Sequence, residues 1–214
     1  MISNTALDRT LYIYMVVVLS VFAVVASGSL VFVPDSYGSS GVVAMLASGA
    51  HIFFGVLYVL GPIAQFNGKI RSKFPSVHRW LGRLTLIAMV ATAVFGMWMN
   101  LAPGNTHFQL GMRTMALFLI FWVPLCAYKA FTSARKRNFQ LHQIWVLRLA
   151  AVAVGNGALR FGLIGFMIIT GGTEGTDEFV DQTIWFFIGS HSILVELYIQ
   201  HKFFTGVNRK PSSA

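Results

Sequence analysis

Charge is what this chain has least of. Charged residues occupy 11% of its 214 positions, against about 25% in a soluble domain. Carboxylates are the scarcest, with seven Asp and Glu against sixteen Lys and Arg. The single cysteine, Cys126, excludes an intramolecular disulfide and any cysteine cage for a metal, and its apolar surroundings suggest a small core residue. No HExxH, no glycine-rich phosphate loop, no Ser/His/Asp arrangement at a credible depth and no carboxylate pair for hydrolysis occurs in the sequence. An internal repeat is also missing, beyond a short echo of His78-Arg79 in His142 and Arg148.

Long apolar runs fill the space that charge leaves. Mean hydropathy is +0.67, and runs of 18 or more apolar residues recur, each able to cross a hydrocarbon core of roughly 30 Å. The pattern predicts one all-α transmembrane domain over 1–214, a bundle of six membrane helices at about 11–33, 42–66, 80–101, 111–131, 143–169 and 183–204. The fifth span is the longest and carries Gly155-Asn156-Gly157, which predicts tilt or a local break. Arg9 and Ser27-Gly28-Ser29 faintly resemble a signal peptide, but the run to Val33 exceeds a usual h-region, so the first span is expected to be retained.

Charge is also lopsided. Thirteen basic residues, among them Arg9, Arg71, Arg79, Arg83, Arg137 and Lys210, fall on one side of the expected bundle. The other side holds Arg113 with Asp35, Glu174, Asp177, Glu178 and Asp181. The positive-inside rule then places both termini in the cytoplasm. Because the basic residues sit in short loops between spans, no basic face remains for nucleic acid. The bilayer is the first partner.

Ionisable residues inside spans are costly in hydrocarbon and usually mark a site. Here His51, His191, Arg148, Arg160 and Glu196 lie within spans, and His78 and His142 lie at span ends. Helical spacing puts His51, Gly55, Tyr58, Pro62 and Gln65 on one face of the second span. His78, Gly82, Thr85, Met89, Thr92 and Gly96 share a face of the third, and His142, Leu149, Ala153, Asn156 and Arg160 a face of the fifth. Small and polar stripes of this kind face neighbouring helices.

By depth the histidines sort into two pairs. His51, His191 and Arg160 lie roughly 12–15 Å below the outer surface, whereas His78 and His142 lie at the cytoplasmic boundary with Arg79, Arg83 and Arg148 nearby.

Facing imidazoles from different helices suit a b-type haem, with His51/His191 and His78/His142 as axial ligands. Gly55, Gly82, Gly96 and Gly155 would give a flat macrocycle room, and Arg79, Arg83, Arg148 and Arg160 would meet its propionates. Gly61-Pro62 predicts a kink whose freed carbonyls, with Gln65, Arg71 and the inner histidines, would surround a place for a quinone headgroup or a small anion. Plainer roles stand beside these. A His at an interface contacts lipid phosphate or caps a helix, a buried His can bond a carbonyl across helices, and Ser190 and Ser192 could satisfy His191. His107 and His201 read as surface residues. Glu196, the only carboxylate inside a span, is expected to pair with Arg148 and so tie the fifth span to the sixth.

The segment His51…Gly55…Gly61-Pro62-x-x-Gln65-Phe66…Arg71…Pro75…His78-Arg79-Trp80-Leu81-Gly82-Arg83, followed by His142-x-x-Trp145-x-x-Arg148 and Arg160, resembles the bacterial membrane family called domain of unknown function 2306 over about residues 45–165. That resemblance implies a multi-span inner-membrane protein and no particular activity. More loosely, the layout is similar to di-haem transmembrane cytochromes b, whose four ligands lie on four consecutive helices. Here the candidate ligands fall on spans two, three, five and six, and the fourth span has no histidine.

The expected function is transmembrane electron transfer by haem b with a quinone, as a membrane oxidoreductase. The alternatives are a non-redox carrier or binding protein for a small anion or lipid, using Arg71, Arg79, Arg148 and Arg160, or an accessory or assembly subunit of a respiratory complex.

Overall fold

The computed structural model describes residues 6–32, 42–101 and 109–205. Asp35, His107, Arg209 and Lys210 lie outside them. Helices make up 93% of the described residues, with no strand among them. In chain order they are α1 (Ala6–Phe32), α2 (Val42–Phe66), α3 (Gly68–Lys73), α4 (Pro75–Leu101), α5 (Leu110–Arg135), α6 (Phe139–Thr170) and α7 (Thr176–Ile199), which continues into a π-helical segment, Gln200–Phe204.

Five of the long helices, α1, α2, α4, α5 and α6, are long and apolar enough to cross a membrane. The protein is thus a multi-pass membrane protein that contacts the lipid bilayer. Helix α7, the sixth expected span, falls outside that group because Gln182, Thr183, Ser190, His191, Ser192 and Glu196 dilute its apolar residues.

Boundaries moved where the sequence carries capping chemistry. The expected loop before the third span folds instead as α3, capped by Asn67, whose Oδ1 accepts from the backbone N–H of Lys69 and Ile70. Helix α4 then starts at Pro75 rather than near 80, because proline suits the first turn, where its missing N–H costs nothing. Asn138 caps α6 by accepting from Leu141 N–H. Gly155-Asn156-Gly157 does not break α6, which runs unbroken for 32 residues, about 48 Å at 1.5 Å per residue. Helix α2 likewise runs through Pro62 without interruption.

Helix α2 packs chiefly on α4 and α6 on α7, while α5 lies against α4 and α6, and α1 against α2 and α6. The central core gathers Leu19, Val59, Ala88, Cys126, Leu149 and Ala153 from five helices. Cys126 is fully buried, as its setting suggested. Large apolar side chains outside the core face outward, Phe121 at 72% and Val24 at 73% exposure among them, as a lipid-facing surface requires. Lipid is as apolar as leucine, so close packing and hydrogen bonds must hold such a bundle together. The hydroxyls of Thr85, Thr92 and Ser192 instead bond within their own helices, to Leu81 O, Ala88 O and Ile188 O, each at 2.8 Å.

Contacts between remote residues set the direction of each helix. Tyr198 and Lys202, at the end of α7, reach Asp8 at the start of α1. Tyr12 donates to Ile63 O, one of the last carbonyls of α2, at 3.2 Å. At the opposite end Asp181 of α7 accepts from Met112 N–H, in the first turn of α5, at 2.8 Å. Both described chain ends therefore lie at one end of the bundle, with Arg9, α3, the start of α4 and the α5–α6 turn. This is the basic end.

Candidate functional site

Along the α2–α4 seam, polar side chains sit in glycine notches. His51 Nδ1 lies 2.9 Å from Thr92 O; a carbonyl only accepts, so Nδ1 carries the proton. The ring rests on Gly96, where a Cβ would stand 2.9 Å from its Cε1. Gln65 lies over Gly82, where a Cβ would come 3.1 Å from Oε1, and its amide donates to His78 O at 3.1 Å. Thr85 fills the notch at Gly61, and the Thr92 methyl faces Gly55 at 3.9 Å. The spaces at Gly82 and Gly96 that were expected to admit a macrocycle are thus taken by Gln65 and His51. The one at Gly155 is taken by the α7 backbone, with Ile188 Cα 2.8 Å from where its Cβ would be.

The basic end collects the inner histidines. Phe74 closes α3 by donating its N–H to Ile70 O, and Pro75 starts α4 with His78 in its first turn. Arg71, His142 and Arg79 all lie within electrostatic range of the His78 ring. Arg79 is exposed and donates to Ser76 Oγ at 3.3 Å, and Arg83 is exposed on the next turn. His142 Nδ1 lies 2.9 Å from Ala130 O, so it too carries a proton, and Nε2 is the ring nitrogen outside that bond. His78 Nδ1 is buried with no hydrogen-bond partner, an exception that calls for an explanation.

The outer residues assemble differently. Arg160 lies within electrostatic range of His51, and its guanidinium stands 5.8 Å from the Phe22 ring centre. His191 turns toward α1. Its Nδ1 donates to Phe187 O at 2.7 Å and its Nε2 accepts from Tyr14 O–H at 2.7 Å, with the two rings stacked 6.0 Å apart. His51 thus bonds across to α4 and His191 to α1. His78 and His142 lie within electrostatic range of each other, whereas His51 and His191 have separate partners. Among the described residues no group of three or more His, Cys, Asp or Glu gathers as a metal site.

Arg148 and Glu196 form the expected pair, Nε to Oε1 at 2.5 Å and Nη2 to Oε2 at 3.1 Å. Arg148 also lies over the Trp145 ring, 4.6 Å from its centre, and Trp145 in turn meets Trp122 of α5. An Arg148 so occupied serves Glu196 first, rather than a propionate.

Two features went unread in the sequence. One is the Asp8–Tyr198–Lys202 cluster, in which Lys202 Nζ lies 3.0 Å from Asp8 Oδ1 and 2.5 Å from the Tyr198 hydroxyl. The spacing of four between Tyr198 and Lys202 puts them on one face of a helix, but nothing in the sequence joins them to Asp8. The other is Tyr14 as the partner of His191.

One family model matches residues 49–199, described as a predicted membrane protein, DUF2306. The chain belongs to DUF2306. The match extends beyond the resembling segment into α7, and so takes in His191 and Glu196 as well as the inner histidines. No curated protein and no solved structure matches the chain. The DUF2306 description names a membrane location and no chemistry, so any activity has to be argued from the side chains.

Proposed function

We propose that this DUF2306 protein is a redox protein of the bacterial cytoplasmic membrane in which His78 and His142 hold a b-type haem at the basic end and exchange electrons with a quinone. Helix α7 crosses the bilayer as the sixth span, and both termini face the cytoplasm by the positive-inside rule. One observation carries the reading. His142 is anchored through Nδ1–H on a backbone carbonyl, which leaves Nε2 as the nitrogen to face a metal, the arrangement that orients a metal-ligating histidine. Within electrostatic range of it, His78 offers a buried ring nitrogen with no protein partner. Arg71, Arg79 and Arg83 supply cations at the same end for propionates. His51 and His191, each satisfied by a neighbouring helix, serve as interhelical hydrogen bonds instead.

The visible spectrum of the purified protein, oxidised and dithionite-reduced, tests this. A Soret band and a sharp alpha band are expected, lost in His78→Ala and in His142→Ala, and kept in His51→Ala and His201→Ala. A colourless, fully folded protein from haem-replete cells would overturn it.

The same cluster also favours a second reading, a binding protein for a small anion. Glu196 is taken by Arg148, and Asp8 is engaged by Lys202, so Arg71 and Arg79 dominate the charge around His78. In that case the protein is colourless, and inorganic phosphate raises its thermal transition in the wild type but not in Arg71→Gln.

A further inference from the structure

Between α5, α6 and α7 lies a cleft of about 540 Å³, a size common for small-molecule sites, roughly 300–1,000 Å³. Trp122 forms one wall, Ala151 of α6 lies at the back, and Ser192, Ile193 and Leu197 line the α7 side. The Arg148–Glu196 pair opens into it, with 24% and 41% of the two side chains exposed. Arg148 is six residues past His142, the residue expected at the cytoplasmic boundary, or about 9 Å along the helix, so the pair sits inside the edge of the hydrocarbon. Two ionised groups that face a membrane-depth cleft are costly unless something polar meets them there.

The chemistry of the lining narrows the occupant. Arg148 and Glu196 neutralise each other through two hydrogen bonds, so a carboxylate or phosphate would gain no net cation. An uncharged group with both acceptor and donor character fits better, because the guanidinium still has N–H groups to give and the carboxylate has lone pairs. The Trp122 indole offers a flat face for a ring. At the mouth, Ile193 and Leu197 are each 62% exposed and apolar, so the way in leads from the bilayer.

We infer that this cleft binds the uncharged ring of a quinone or quinol, with its carbonyl or hydroxyl oxygens on Arg148 and Glu196 and its tail leaving past Leu197 into lipid. The inference rests on the redox reading for its choice of partner, and it moves the quinone away from Gln65, whose amide is spent on His78 O.

The test uses the full-length protein in lipid nanodiscs and an azido-substituted benzoquinone with a short alkyl tail. After illumination, label is expected on the α7 segment that holds Ser192 and Leu197, displaced by excess decylubiquinone but not by oleate. Leu197→Trp and Ile193→Trp, which fill the mouth from lipid-exposed positions, should each cut labelling about tenfold, a loss of roughly 1.4 kcal/mol. Leu194→Trp serves as control, because Leu194 is 60% exposed on the same helix and outside the lining. Glu196→Gln leaves Arg148 uncompensated, and oleate should then compete. Label that maps to another helix, resists decylubiquinone or survives both mouth substitutions overturns the inference. Labelling is read by mass, so a colourless protein labelled here sinks the haem reading alone, and a haem-bearing protein unlabelled here sinks the cleft alone.

Discussion

The α2–α4 and α6–α7 interfaces both depend on glycine, yet glycine does different work in each. Between α2 and α4 it makes notches for side chains: His51 over Gly96, Gln65 over Gly82, Thr85 over Gly61. Each of those polar groups finishes on a backbone carbonyl, Thr92 O, His78 O and Leu81 O, so the notches are closed and their occupants satisfied. Between α6 and α7, Gly155 admits backbone, with Ile188 Cα and Phe187 O within 2.9 Å of where a Cβ would be. That approach sets the two helices close, and toward the basic end the bonded Arg148 and Glu196 line a cleft. A satisfied seam holds helices together. A seam that ends in a half-exposed ion pair has chemistry left over for a ligand.

Substitutions can break this contrast, and the largest effect should come from the ion pair. Glu196→Ala strands the Arg148 cation and should cost about 3 kcal/mol of unfolding free energy in detergent, at the low end for a buried pair because the cleft is partly open. Arg148→Met with Glu196→Leu should recover most of that loss. If the double variant is no more stable than the single one, the pair is held by packing and not by charge.

Next comes Gly155→Val, expected to cost about 2–3 kcal/mol because backbone cannot step aside. It should also perturb azidoquinone labelling, since it shifts α7 and the cleft wall. Gly96→Ala should be milder, about 1 kcal/mol, because only the edge of the His51 ring must move. Thermal transitions of equal size in the two variants would erase the distinction between notch and backbone approach.

The smallest effect concerns neither seam. Arg137, in the turn between α5 and α6, is the sole described non-glycine residue with positive φ, at 57°, so Arg137→Gly should raise stability by about 0.5–1 kcal/mol. A drop would mean that the Arg137 side chain does something its backbone angle hides.

Much of the fold could be read in the chain because lipid imposes a simple demand: every long apolar run must close its own hydrogen bonds as a helix. The stripes were legible for the same reason. Thr85, Met89, Tyr58 and Ala153 are buried as their spacing predicts, and Ile87, Leu57 and Phe53 face outward. The Arg148–Glu196 pair could be found from depth and cost alone. His191 could not be placed, because its position on α7 says nothing of which helix lies opposite, and that helix is α1 with Tyr14 rather than α2 with His51. The glycines misled for a related reason: a missing Cβ leaves room, but the sequence does not say whose atoms enter it.

Residue order and the physics of hydrocarbon, without further help, determined that this is a helical membrane protein, which faces its helices turn inward, which end is basic and that an internal carboxylate needs a cation. Tertiary structure alone decided the partners: Tyr14 for His191, Gln65 on the His78 carbonyl, Asp8 under Tyr198 and Lys202, and a cleft against Arg148 and Glu196. The reason is that spacing along one helix specifies a direction around its own axis, whereas a partner requires the rotation and height of a second helix, and those come only from how all the helices pack at once.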